Sequence, residues 1–458
     1  MTERSGIPGE RASTNTDDVV SRHKAPAAAC ATHSIGVPPR KQPDAANRPD
    51  AAAPSGLERR ALRKLLVLMG SPPVRFVLWN GEQVTLGDTP GDRRLQIHDR
   101  NTLWRLIINP ELHFGDAYSR GSLEVEGDLV SFIETINRAA PRTSRYNTLL
   151  RAWQLWRNRA RANTPDSSPD HISHHYNLGN AFFRLWLDEE LVYTCAYFPS
   201  RELTLEQAQR AKMEYVCRKL QLQPGETVIE AGCGWGALAL YMAREYGVRV
   251  RAYNLSSEQI RYARERAAVA GLGQQVEYIE DDYRNITGQC DVFVAVGMLE
   301  HVGRSNYRAL GDIIDRCLTP AGRGLIHSIG RDRPRPMNAW IEKRIFPGAY
   351  PPTLREMMDI LEPRGFSVLD VENLRLHYAR TLEHWLERFT AREDEVRALF
   401  DEDFVRAWRL YLAGSIASFS TGWLELFQLV FTRPGRNEIA WTRDHLYARQ
   451  GQTGHGPV

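Results

Sequence analysis

The stretch VIEAGCGWGALALYMAREYGVRVRAYNLSSEQ, Val228 to Gln259, decides the fold. It opens on a short apolar run, Val228 to Glu230, and turns through Gly232, Gly234 and Gly236. A helical pattern free of proline follows from Ala237 to Tyr246, and a second strand follows that. Glycines at such a turn let the backbone pass close to a ligand, which predicts a nucleotide cradle. Without a ligand the same turn is only a tight connection between strand and helix.

The spacing narrows the ligand. G-C-G-W-G departs from the G-x-G-x-x-G of a dinucleotide pyrophosphate site, so no phosphate cradle is required. A G-x-G-x-G turn after a strand that ends near a carboxylate, Glu230, suits a nucleoside with an ammonium group at its far end. S-Adenosylmethionine is such a nucleoside.

Working outward, the strand and helix signals alternate regularly. Strands are predicted at 228–231, 248–254, 276–280, 291–297 and 323–329, with helices at 235–246, 257–270 and 306–318. Parallel α/β is the economical arrangement, and strand-like runs at 366–374 and 425–433 would complete a seven-stranded sheet. Upstream, a helix from Leu57 leads into strand-like FVLWNGEQVTLG, broken at Asn80 and Gly81, and RRLQIHD; helical patterns then alternate with short loops to about Asn137. This predicts a small α+β domain over 56–140. Residues 1–55, rich in Ala, Pro, Ser and Asp, read as a disordered extension. Residues 141–170 read as a linker: a basic helix with Trp153 and Trp156, suited to a membrane interface or to packing on a neighbour, then a turn-rich boundary. The larger domain is expected over 171–435, with a tail at 436–458.

The chain has 458 residues, 42% of them hydrophobic, enough for two or three domains with proper cores. A formal charge of +3 is nearly balanced and implies no nucleic-acid partner. Six cysteines (Cys30, Cys195, Cys217, Cys233, Cys290 and Cys317) follow neither a disulfide framework nor a zinc spacing, so no metal is expected. Neither a signal peptide nor a bilayer-spanning apolar run is read, which points to the cytoplasm and to peripheral membrane contact.

Longer blocks carry a resemblance. HYNLGNAFFRLWLDEELVYTCAYF, the glycine turn, GMLEHVGRSNYRALGDIIDRCLTPAGRGLIHSIG, WIEKRIFPGAYPP and HYARTLEHWLERF, in that order, resemble the cyclopropane-fatty-acid-phospholipid synthases over His174 to Thr432. The N-terminal domain is similar to the lipid-binding domain of the phospholipid-acting members. The resemblance implies a Rossmann-like class I methyltransferase fold with a smaller α+β lipid-binding domain. It implies methyl transfer from S-adenosylmethionine to a cis double bond of a phospholipid acyl chain, with bicarbonate as the base that removes a proton before ring closure.

By that resemblance Glu300, His327, Tyr378, Cys195 and Ile329 form the catalytic pocket. Glu300 is expected to orient His327 and the Tyr378 hydroxyl toward bicarbonate, while Cys195 and the Ile329 backbone complete the anion pocket. Read alone, Cys195 and His327 are more often core residues. Tyr193, Thr194, Glu230, Gly232, Gly234, Trp235 and Gly236 are expected at the methyl donor, with Asn254, Leu255, Ser256 and Gln259 along its ribose and Asp282 and Tyr283 at the adenine. Ser415 stands where the family often has cysteine. Arg331 to Pro336 (RDRPRP), with Trp340 and Phe346, are expected to meet a membrane surface, and the acyl chain to enter between the helices before the last strand. A possible homodimer also belongs to the resemblance. Two other readings stay open: a methyltransferase that leaves a branched or methylene chain without closing a ring, and a lipid-binding protein without catalysis.

Overall fold

A computed structural model describes residues 53–86, 93–141 and 178–447, all within one compact unit. The N-terminal extension before residue 53, Cys30, the basic segment at 144–161, its following loop and residues 448–458 lie outside the described residues.

The small domain begins with the helix Gly56–Leu68, capped by Ser55, whose hydroxyl accepts from the Glu58 amide while the Glu58 carboxylate returns to the Ser55 amide. Its sheet has four strands: β1 (Arg75–Val77), β2 (Gln83–Val84), β3 (Arg94–Ile97) and β4 (Leu123–Glu126). They lie in the order β2-β1-β3-β4, with β1 and β3 parallel. The expected turn at Asn80 and Gly81 joins β1 to β2, and Gly81 has φ +84°. β4 departs from the expectation of helices and short loops between RRLQIHD and Asn137. Leu123 is buried opposite Ile97 while Glu124 and Glu126 face solvent, an alternation that suits the edge of a sheet.

The larger sheet contains β5 (Thr227–Ala231), β6 (Arg249–Asn254), β7 (Val276–Glu280), β8 (Cys290–Val296), β9 (Leu318–Gly330), β10 (Ser367–Asn373) and β11 (Glu425–Thr432). Their order is β10-β11-β9-β8-β5-β6-β7. β5 to β9 are parallel, and β11 runs antiparallel to both its neighbours. The chain order reverses between β5 and β8, and this opens a crevice at their carboxyl ends. β9 starts earlier than expected because Leu318 already pairs with Cys290; the register then shifts, and Arg323 meets Val292.

Between β10 and β11 the helices Arg375–Ala391 and Glu402–Ser420 bury Trp385 and Trp408. The second helix carries the small domain: Arg406 Nε donates to the Tyr118 carbonyl at 2.7 Å. Trp423, just beyond it, donates to the Asn137 carbonyl at 3.0 Å. On the short helix Ala339–Arg344, the Arg344 guanidinium holds buried Asp116 with two bonds of 3.0 and 2.9 Å. Trp340 packs so tightly on Gly115 that a Cβ there would stand 2.5 Å from the indole. Trp340 is therefore buried and does not stand ready for insertion into a membrane.

Candidate active site

The turn after β5 passes through Gly232 (φ +84°), Gly234 (φ +54°) and Gly236 (φ +83°), conformations that favour glycine. The amides of Gly232 and Cys233 both donate to the Tyr253 carbonyl, at 2.9 and 3.0 Å, and bind the turn to β6. A Cβ on Gly236 would strike the Tyr278 ring at 2.5 Å, whereas one on Gly234 would meet nothing within 4 Å. Gly236 is thus a packing glycine, and Gly234 faces open space.

The ribose side differs in detail from the expectation. The Asn254 amide donates to the Gly234 carbonyl (3.2 Å) and to Gln259 Oε1 (2.7 Å), and its oxygen accepts from the Leu255 amide (2.8 Å). Asn254 braces the turn, so its amide hydrogens are already in use. Gln259 Nε2, buried without a hydrogen-bond partner, is the available donor beside it. Ser256 does not line the cavity; its hydroxyl caps the helix Ser257–Val269 by accepting from the Gln259 amide. Tyr283, with a buried and unpartnered hydroxyl, and Asp282, paired with Arg284 at 2.8 Å, both line the cavity. The Tyr193 and Tyr411 hydroxyls lie 2.9 Å apart, and Trp235 donates to Asn180 at 2.7 Å.

Glu230 is 2% exposed and its Oε2 has no hydrogen-bond partner. Burial pushes its carboxyl up to about 7, against a lowering pull from Lys212. A bound ammonium group would satisfy this oxygen, so the residues present fit the methyl donor.

A cavity of about 840 Å³ joins three groups of residues. One is the turn, with Asn254 and Tyr283. The second is Glu300, Ile329 and Tyr378. The third is apolar and comes largely from the small domain, with Leu62, Phe76, Leu106, Phe114 and Ile133. Leu382, Leu410, Ser415 and Phe419, on the helices before β11, also line it.

Of the five expected catalytic residues the cavity brings together three. Glu300 follows β8 in a short 3-10 turn, and its Oε1 accepts from the Ile329 amide at 2.6 Å. Its Oε2 is buried without a partner, and burial pushes the carboxyl up to about 7. Tyr378 packs on Phe419, with ring centroids 4.6 Å apart. His327 and Cys195 are buried but do not line the cavity. His327 faces Gln428 through Nδ1 at 2.9 Å, so Glu300 is not its orienting partner, and burial beside Lys212 and Lys219 pulls its pKa down to about 3. The Cys195 thiol donates to the Ala196 carbonyl at 3.1 Å, and burial pushes it above the ordinary thiol range. The Ile329 amide, expected to serve an anion, is already held by Glu300.

Three features were missed in the sequence. Lys212 lines the cavity; its signal is that Leu205, Gln209, Lys212, Val216 and Leu220, all buried, place two polar side chains on an apolar helical stripe. Arg331 is only 4% exposed and turns into the cavity, where a solvent-facing headgroup contact was expected. Phe346 also packs inward, against His301 and Tyr411 at 5.9 and 5.7 Å.

Residues 163–429 match the mycolic acid cyclopropane synthetase family, and residues 61–147 match a domain of unknown function. The chain belongs to the mycolic acid cyclopropane synthetase family. It is 34% identical over 386 residues to a probable fatty acid methyltransferase of Pseudomonas putida, spanning 82% of this chain and 96% of that protein. It is 39% identical over 270 residues to the cyclopropane-fatty-acyl-phospholipid synthase of Escherichia coli K12, spanning 59% of this chain and 69% of that one. Among solved structures, the mycolic acid cyclopropane synthase CmaA1 in complex with SAH and CTAB superposes with a TM-score of 0.55 at 30% identity, covering 58% of this chain and 98% of CmaA1. The sheet is that of a class I methyltransferase, and this family member is an S-adenosylmethionine-dependent methyltransferase.

Proposed function

We propose that this methyltransferase is a cyclopropane-fatty-acid-phospholipid synthase. The observation that carries the reading is the shared cavity, in which the methyl-donor turn, a buried carboxyl with an unpartnered oxygen and an apolar corridor meet. When bound, S-adenosylmethionine supplies an electrophilic methyl group. An isolated cis alkene is a poor nucleophile, so the corridor must hold it dry and at attack distance. Addition of the methyl leaves a cation on the acyl chain, and loss of a proton from that methyl closes the ring.

Bicarbonate is the proposed base, in the space bounded by Glu300, Ile329 and Tyr378. A charged Glu300 would repel it. Because burial holds the Glu300 carboxyl near neutrality, Oε2 can carry a proton and donate to the anion while Oε1 keeps the Ile329 amide. The enzyme is placed in the cytoplasm, peripherally bound to the inner face of the membrane and able to form a homodimer. No helix among the described residues is long and apolar enough to cross a bilayer.

A second reading has its own support. The Pseudomonas putida relative that aligns along most of this chain is named a fatty acid methyltransferase, consistent with methyl addition that leaves a branched or methylene chain. The two readings part in an assay with vesicles of monounsaturated phosphatidylethanolamine and S-adenosylmethionine, with and without bicarbonate. A cyclopropane acyl product that depends on bicarbonate supports the proposal. A branched product, or a cyclopropane formed equally well without bicarbonate, contradicts it, and S-adenosylmethionine binding without any product would mark a lipid-binding protein.

A further inference from the structure

Lys212 sits on the helix Leu205–Leu220 and is 2% exposed. Its ammonium donates to Thr194 Oγ1 at 3.2 Å, and it lines the cavity together with Tyr193, Thr194 and Glu230. A buried ammonium group is costly unless a counter-charge reaches it. Asp188 and Glu230 are the carboxylates whose charges act on it most. Asp188 is spent on the amides of Val192 and Glu190, at 2.8 and 3.2 Å. Glu230 keeps one oxygen unpartnered, and the hydrogen bond that Lys212 makes goes to the neutral Thr194 hydroxyl and not to a carboxylate. Beside the glycine turn, then, stand a buried cation short of an anion and a buried carboxyl short of a donor. The amino-acid end of the methyl donor carries a carboxylate and an ammonium on one carbon, the complement of that pair.

We propose that Lys212, steadied by Thr194, binds the α-carboxylate of S-adenosylmethionine while Glu230 accepts from its ammonium. Lys212 is then a cofactor-recognition residue, and the site selects for an intact amino-acid end. Thr194 keeps the lysine on the cavity side of its helix, and Gln209 fixes Thr194 in turn by donating to its carbonyl at 2.9 Å. This inference rests on the methyl-donor site and not on the identity of the lipid product.

Isothermal calorimetry without lipid tests it, with S-adenosylmethionine and its decarboxylated analogue as probes. The wild type should bind the intact molecule at least tenfold more tightly than the analogue. Lys212→Met should weaken the intact molecule by about 10- to 100-fold, as expected for a charge-assisted hydrogen bond, and leave the analogue within about threefold. Thr194→Val, which keeps the lysine, should shift affinity in the same direction by less. Equal affinity of the wild type for the two probes would overturn the proposal without any variant, and so would a Lys212→Met protein that loses both in parallel, because the lysine would then serve only as the structural counter-ion of Glu230. Failure of ring closure in the lipid assay would leave these affinities untouched.

Discussion

Burial holds the Glu300 carboxyl at about 7, well above its ordinary value. An unfolded glutamate ionises near pH ~4.3. Between that pH and about 7 the native state keeps a proton that the unfolded chain has released. The stability contributed by the neutral form is complete below the unfolded value and is lost as pH rises through the folded one. Glu230, also raised to about 7, acts in the same direction. At ~1.4 kcal/mol per pKa unit, each such carboxyl accounts for at most about 3 kcal/mol of stability lost between pH ~5 and ~8. Urea unfolding of Glu300→Gln should therefore show a shallower decline than the wild type, and matching slopes would mean that Glu300 is not held neutral. The same variant should lose turnover by about a hundredfold or more, the scale of a group that positions acid or base chemistry. Glu300 was legible in the sequence because a carboxylate directly after an apolar strand seldom serves packing. Its partner was not: the Ile329 amide is met only when β9 lies beside β8, 29 residues along the chain. The demotion of Asn254 has the same cause, since its hydrogen bonds to the turn form only once β6 has folded beside it.

At the scale of the element, the glycine turn separates packing from ligand approach. A Cβ on Gly232 would stand 2.9 Å from Met298 Cβ. Gly232→Ala should cost roughly 1–3 kcal/mol of stability for backbone strain and contact together, and weaken cofactor binding as well. A Cβ on Gly234 meets no protein atom within 4 Å but enters the cavity. Gly234→Ala should cost only about 1 kcal/mol in a denaturant melt, yet reduce S-adenosylmethionine affinity at least tenfold. Equal losses in fold and affinity for the two variants would deny that distinction. The strands at the centre of the large sheet were legible because central parallel strands read as apolar runs bounded by turns; β8, expected at 291–297, is Cys290–Val296. β4 was missed because it lies between helices, where four alternating residues are too short to outweigh the helical pattern. β9 was read short because Thr319, Pro320, Ala321 and Gly322 resemble a turn and instead form the irregular start of the strand.

At the scale of the whole molecule, the small domain supplies walls to the catalytic cavity and is fastened by a few long-range contacts. Asp116 and Arg344, 228 residues apart, are both buried and bonded twice. Arg344→Met would leave the Asp116 carboxylate without its cation, and should destabilise the protein by about 3–5 kcal/mol, read as a lowered midpoint in thermal or urea unfolding. The double variant Asp116→Asn with Arg344→Met should recover much of that loss, and no recovery would show that the pair is not coupled. Such contacts explain why the sequence placed Trp340 and Phe346 at a membrane surface. A basic loop with aromatics reads as interfacial until Gly115 is known to face Trp340 and Tyr411 to face Phe346.

The central claim is that a methyl group is added to an acyl double bond within this cavity and then gives up a proton to close a ring. The most direct measurement is fatty-acid mass spectrometry of a host that makes monounsaturated phospholipids but no cyclopropanes, expressing this protein and fed methionine with a fully deuterated methyl. A new acyl chain that keeps two deuterons on the added carbon is expected, with fragmentation placing that carbon in a ring. Retention of all three deuterons would contradict it, because the methyl would then have stayed intact as a branch.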